Sequence, residues 1–414
     1  MVILKLLFQI YAEAKMKKFT MPLIVVLSVF FICAAEAKEP AKKETKGESK
    51  NAPVAPLKKT EDKKDDKTDK SADVKQGEAC MDESDAAYKN KMEAAKLLQN
   101  GEMALHSGKY DKAADQFSKA LELDKDNLDA RLKLAWTFIL AGKTDEALAH
   151  LDALEAANPV WAAVWLLKGM AYADKGSQKE AESSFAKAFS LDDKESRFAM
   201  FYSEYMERFG EKETADKLAK IYEANKEWAE IAGEAGRLYY LAGEFDKAFD
   251  LLFAACAAGY VNSVYPLILA AAASPNKDKR ADKLRELIKD DKPEWAVAAL
   301  GGLYYETGKK EEAKSLIDKI YQTKKECIAA SYYKGLMEFE KRNDEEGARA
   351  LSNVLGASAG ENMLLFYNAA AALEKFGSEP LSKDAYTRFY QTAKIKRCLP
   401  ELAKKAEEKI KSLK

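Results

Sequence analysis

From about Ser84 to the C-terminus, apolar residues recur at intervals of three and four, the spacing that lines one face of an α-helix. The last stretch shows it plainly: Leu402, Ala406, Ile410 and Leu413 stand among Lys and Glu. The residues in between are dominated by Ala, Leu, Glu and Lys, which lose the least conformational freedom in a helix. The strict alternation of Val, Ile and Thr that marks strands is scarce. A succession of helices without a sheet is predicted.

A longer period lies over this pattern. Gly108, Gly142, Gly176 and Gly210 are spaced by 34 residues, and Ala113, Ala147, Ala181 and Ala215 take the same steps. Gly101 leads to Tyr110, Phe117 and Ala120. Ala135 leads to Phe138, Leu151, Leu154 and Pro159. Gly169 leads to Tyr172, Phe185 and Ala188. A unit this short leaves one apolar face uncovered, so each must stack on the next.

The pattern resembles the tetratricopeptide repeat family. That family places a small residue at repeat position 8, an aromatic at 11, Gly at 15, Ala at 20, a large apolar at 24, Ala at 27 and Pro at 32. Trp165, Gly169, Tyr172, Ala181, Phe185 and Ala188 match most of it. The pattern continues with Gly236, Tyr239, Gly243, Phe245 and Ala248, then weakens to Ala281 and Pro293 within 262–293. It returns with Trp295, Gly301, Tyr304, Gly308 and Ala313. Residues 328–360 keep Gly335 and Ala348, but Arg342 stands where the turn glycine belongs. The resemblance covers roughly 94–395. It implies an all-α fold, a right-handed α-solenoid of about eight to nine stacked helix-turn-helix units. The solenoid is expected over 84–398, with a C-terminal capping helix at 399–414 that carries Pro400 in its first turn. Small residues at positions 8 and 20 let the two helices of a hairpin approach. The glycine at 15 supplies the positive φ that ends the first helix.

Two segments precede the repeats. Lys17 and Lys18 stand before an apolar run from Met21 to Ala35, and Ala35-Glu36-Ala37 offers small residues for cleavage. Residues 1–37 therefore read as a secretory signal peptide cut after Ala37, with Met16 as a plausible true start. The apolar run is short for a bilayer span. A periplasmic or secreted location follows, or, if the signal stays uncleaved, an inner-membrane anchor facing the periplasm. Ile32 is too bulky for a lipoprotein exit at Cys33. Residues 38–83 mix Lys, Glu and Asp with Pro53 and Pro56 and contain no aromatic residue, so they read as a charged, disordered linker.

Charge narrows the function. Lys plus Arg total 67 against 68 Asp plus Glu, which gives no positive excess for nucleic acid. The two histidines, His106 and His150, are far apart in sequence from the cysteines and suggest no metal site. Removing the leader would leave Cys80, Cys256, Cys327 and Cys398, and the last three lie about two repeats apart, beyond disulfide reach. Gly142-Lys143-Thr144 has the tail of a phosphate-binding loop, but Thr137 stands where its first glycine is required and no strand precedes it. No enzyme activity and no cofactor are expected.

The family resemblance implies a concave groove lined by the first helix of each repeat. The matching positions here include Glu102, Leu132, Trp136, Met170, Arg237, Tyr240, Tyr305 and Tyr332. Leu98, Leu105, Ile139, Leu166, Trp295, Leu336 and Phe339 accompany them. Exposed Trp and Tyr are usual interface anchors, although the same side chains also suit burial between repeats. The clamp that grips chaperone tails in one subfamily would fall on Leu98, Glu102, Lys133, Ala163 and Leu167, of which only Lys133 is basic. An apolar or amphipathic partner segment suits such a wall better. The implied function is a protein–protein interaction scaffold of the bacterial envelope. Carbohydrate binding, or an enzyme-accessory role using the groove aromatics, is the alternative.

Overall fold

The computed structural model describes residues 83–413, apart from 290–291, 325–326, 357–361 and 397. The signal peptide, its exit at Ala37, the charged linker and Cys80 lie outside the described residues. The described residues form nineteen α-helices and two short 3₁₀ turns, with no strand beyond one isolated bridge between Lys289 and Lys292.

Eighteen of the helices pair into nine hairpins. α1 (Glu83–His106) pairs with α2 (Tyr110–Leu123), α3 (Leu128–Leu140) with α4 (Thr144–Ala157), and α5 (Ala162–Asp174) with α6 (Gln178–Leu191). Then come α7 (Ser196–Met206) with α8 (Glu211–Ala224) and α9 (Ala229–Leu241) with α10 (Phe245–Ala257). α11 (Val264–Ala273) is followed by α12 (Lys277–Leu287), and α13 (Glu294–Glu306) by α14 (Lys310–Thr323). α15 (Ile328–Glu340) with α16 (Asp344–Gly356) and α17 (Met363–Lys375) with α18 (Glu379–Lys396) complete the array. α19 (Pro400–Ser412) packs alone on α18. The expected all-α solenoid of helical hairpins is the observed fold.

The hairpin turn recurs for a local reason. Gly142 N–H donates to the Ile139 carbonyl at 3.1 Å and Lys143 N–H to the Phe138 carbonyl at 2.8 Å. This pair of bonds satisfies the last carbonyls of the helix and requires a left-handed residue, which Gly142 supplies at φ +74°. At the degenerate repeat Arg342 adopts the same conformation at φ +62°, with Asn343 N–H on the Glu338 carbonyl at 3.0 Å. The turn geometry persists there although its glycine is gone.

Packing follows the predicted positions. Ala113, Ala147, Ala181 and Ala215 are each 0 % exposed, as are Phe117 and Phe185. Burying one such phenylalanine contributes about 2–3 kcal/mol. Polar ties join equivalent places in successive repeats: Lys143 to Asp111 at 2.8 Å, Lys175 to Asp145 at 2.7 Å, and Arg280 to Asp246 at 2.9 Å. The first two are exposed, so solvent screens them and they add little to stability.

The C-terminal hairpin departs furthest from a stack in which each hairpin touches only its neighbours. Leu399 N–H donates to Glu207 Oε1 at 2.9 Å, Asn362 Nδ2 to Asn262 Oδ1 at 3.2 Å, and Asn368 Nδ2 to Tyr265 Oη at 2.8 Å. Both α11 and α17 are first helices of their hairpins, and they touch. The C-terminal hairpin thus returns to the first-helix side of the central repeats and covers part of it.

Candidate functional site

The eight wall positions separate into two groups. Leu132 is 1 % exposed, Trp136 3 %, Met170 0 % and Tyr332 7 %, so these are core side chains rather than members of an open wall. Large side chains on first helices reach across the intervening repeat to the first helix beyond it. The Trp136 ring meets Phe201 of α7 edge-on at 6.3 Å, and Tyr332 meets Tyr265 of α11 at 5.2 Å. Leu105, Ile139, Leu166 and Phe339 are buried as well.

Glu102, Arg237, Tyr240 and Tyr305 keep part of their surface. Glu102 is engaged within the solenoid, since it accepts from Lys133 Nζ at 2.6 Å while the same ammonium reaches Asp129 at 2.6 Å. Lys133 therefore serves its own chain rather than a partner's carboxylate.

Tyr240 lies on α9 and Tyr305 on α13, and the Glu306 carboxylate acts electrostatically on both hydroxyls. Tyr305 Oη donates to Glu340 Oε1 at 2.8 Å, and Lys310 Nζ holds the other oxygen of that carboxylate at 2.8 Å. Behind Tyr305 lies Tyr333, 5.4 Å ring to ring, which donates its hydroxyl to Glu306 Oε1 at 2.9 Å. Desolvation raises the Glu306 carboxyl above its usual range, and the Tyr333 bond works against that rise. Burial also raises the Tyr240 hydroxyl, with the Glu306 charge adding to it. This patch offers two partly open aromatic faces and carboxylates that accept hydrogen bonds.

Arg237 belongs to a different arrangement. Its guanidinium bridges Glu207 Oε2 and Glu234 Oε1, each at 2.6 Å, and Ser203 Oγ donates to Glu234 at 2.8 Å. Burial works to raise the Glu234 carboxyl, but Arg237 and Ser203 outweigh it and hold it at about 2. Glu207 is 3 % exposed and also takes the Leu399 N–H. The periodicity pointed to Arg237 alone. Glu207 and Glu234 were legible only as carboxylates on helices whose other residues are largely apolar, and their meeting depends on how two repeats stack. Arg237 Nη1 has no hydrogen-bond partner. Beside it lies a cleft of ≈ 40 Å³ lined by Glu234, Asn262, Asn362 and Met363, among others.

The remaining chemistry is structural. Cys256 and Cys398 are free thiols, and burial pushes both well up. His150 stacks on Phe138 at 5.7 Å. Lys143, in the glycine-lysine-threonine turn, is committed to Asp111. Among the described residues no cluster of His, Cys, Asp and Glu is arranged to hold a metal ion, and no helix is long and apolar enough to cross a membrane.

Tetratricopeptide repeat family models match residues 104–171 and 162–195. No curated protein matches the chain. Solved structures similar to it include pilF of Pseudomonas aeruginosa, at 16 % identity over 59 % of this chain and 98 % of that one, with a TM-score of 0.36. YrrB, described as a TPR protein with an unusual peptide-binding site, has 19 % identity over 52 % of this chain and 96 % of its own, with a TM-score of 0.30. A tetratricopeptide repeat protein of Parabacteroides merdae has 14 % identity over 72 % and 99 %, with a TM-score of 0.36. Residues 104–195 thus carry tetratricopeptide repeats, and the same hairpin geometry recurs from α1 to α18. The chain's fold is that of a protein–protein interaction scaffold, and proteins of this family are generally not enzymes.

Proposed function

We propose that this protein is an interaction scaffold of the bacterial envelope that holds an apolar or amphipathic segment of another protein on the wall formed by α9, α13 and α15. The observation that carries the reading is the partial exposure of Tyr240 and Tyr305, while the candidate side chains of α3 and α5 are buried. Large aromatic surfaces with a polar tip lose little entropy on binding and dominate interface energetics. Glu340 accepts from Tyr305 and Glu306 from Tyr333, and these carboxylates would accept further hydrogen bonds from a partner's backbone N–H groups or basic side chains. The envelope location rests on the basic-apolar-small leader at residues 17–37.

The test is co-purification from the native envelope with the full-length chain, comparing wild type with the Tyr240→Ala/Tyr305→Ala double variant. Val160→Ser, at an exposed position away from the patch, is the control. Loss of the same partner from the double variant alone supports the reading. Equal recovery by all three proteins overturns it. Mass spectrometry of the mature N-terminus tests the location, with a chain starting at Lys38 expected.

A further inference from the structure

The return of the C-terminal hairpin onto the central repeats has unusual properties for an interface inside a solenoid. It joins segments 192, 100 and 103 positions apart, through Glu207–Leu399, Asn262–Asn362 and Tyr265–Asn368. Three polar bonds cross it, beside the buried side chains of Met363, Leu365 and Leu399. It is also incompletely packed. The cleft of ≈ 40 Å³ lies in this seam, between Gly233, Glu234 and Arg237 on one side and Asn362, Met363, Leu364 and Leu365 on the other. Buried donors normally find partners, yet Arg237 Nη1 at this seam has none.

The incoming segment is strained. Leu399 adopts φ +52°, a left-handed conformation that a bulky side chain rarely takes. Such a backbone persists only where its surroundings impose it. Here the surroundings are the Glu207 carboxylate on its N–H and near-complete burial, with Leu399 4 % and Cys398 8 % exposed. Cys398 Sγ lies 3.4 Å from Met363 Sδ, so the turn at 398–399 and the start of α17 dock as one piece. Lys396 adds its charge to the field that favours the ionised Glu234.

We infer that residues 362–413 are a releasable plug: the chain's own C-terminal unit occupies the first-helix wall of α7, α9 and α11, and it opens as a unit while the other hairpins stay folded. Closed, the plug satisfies Glu207 with the Leu399 N–H. Open, it uncovers Glu207, Arg237 and Tyr265, a surface matched to an apolar turn that presents a free backbone N–H. Proteins open sub-globally in cooperative units, and a seam with a cleft and an unpartnered buried donor is a place for such opening. The inference stands on the seam itself and is independent of the Tyr240–Tyr305 patch.

Two buried thiols provide the test within the full-length chain. Cys398 lies in the seam, whereas Cys256 lies inside α10 at 1 % exposure, away from the plug. Labelling with a maleimide, followed by peptide mass spectrometry, reads both in one sample. In the wild type Cys398 is expected to label at least tenfold faster than Cys256. Leu399→Asp, which sets a second carboxylate beside Glu207, is expected to speed Cys398 about tenfold further and leave Cys256 unchanged. The Asn362→Ala/Asn368→Ala variant removes two polar ties at the seam and is expected to act in the same direction, which keeps the test decisive if Leu399→Asp does not fold. Equal labelling of the two thiols in wild type, or parallel changes at both in the asparagine variant, would show that the seam opens only with global unfolding and overturn the inference.

Discussion

A Cβ atom placed on Gly169 would stand 2.9 Å from the ring of Phe185 in the paired helix. The same close approach joins Gly101 to Phe117, Gly236 to Leu252, Gly301 to Ile317 and Gly335 to Leu351, always sixteen residues apart. The hairpin is thus closed by a missing side chain on one helix that receives a large one from the other. Alanine is the better helix former by about 1 kcal/mol, but here overpacking outweighs it. Gly169→Ala is expected to lower stability by about 1–3 kcal/mol. Gly356, in the last turn of α16, has nothing within 4 Å of such an atom, and Gly356→Ala is expected to leave stability unchanged or raise it. Denaturant midpoints of the two variants check the contrast.

Arg342 bears the opposite defect, a side chain at a turn built for none, with φ +62°. Relief of left-handed strain is worth about 1–2 kcal/mol, and the greater freedom of glycine in the unfolded chain takes back part of it. Arg342→Gly is expected to raise the midpoint, by an amount equivalent to about 0.5–1 kcal/mol. A lowered midpoint would mean that the arginine side chain contributes more than its backbone costs.

Glu338 predicts an acid response. It is 6 % exposed and accepts from Lys341 Nζ at 2.8 Å, Lys334 Nζ at 2.9 Å and Asn343 Nδ2 at 3.1 Å. Burial pulls its carboxyl upward, but these donors prevail and hold it at about 2, below the ordinary 4.5. A carboxyl depressed in the folded state stabilises the fold above its unfolded value and loses that contribution as pH falls through the folded one. Stability is therefore expected to fall between about pH 4.5 and pH 2. Glu338→Gln is expected to be less stable at neutral pH and to lose less across that acid window. Melting temperature against pH for both proteins reads the difference, and parallel curves would contradict the assignment.

Trp136 and Tyr240 separate core from surface among the wall positions. Trp136 is 3 % exposed, and Trp136→Ala is expected to cost about 3–5 kcal/mol. Tyr240 keeps part of its ring in solvent, and Tyr240→Ala is expected to cost about 1 kcal/mol or less. Chemical denaturation measures both. A partner lost from the tryptophan variant would report damage to the scaffold, whereas one lost from the tyrosine variant would report the patch.

The legibility of the chain followed the range of the interactions. Gly142 and Ala147 act within a single hairpin, so a 34-residue recurrence in the sequence was sufficient to place their helices and turn. The family's groove positions carried less far. Tyr240 and Tyr305 are partly open, but Trp136, Met170 and Tyr332, on first helices too, are buried. Repeat position states which side of a hairpin a residue is on; it does not state how tightly the next hairpin closes over it.

Order along the chain therefore established the helices, their pairing and the small residues that allow the pairing, because each depends on neighbours within one repeat length. The docking of Leu399 on Glu207 across 192 positions left no periodic trace, because one bond between two single residues recurs nowhere. It arises from the accumulated rotation of successive hairpins, each set by packing detail too fine for a pattern of apolar and polar positions to record.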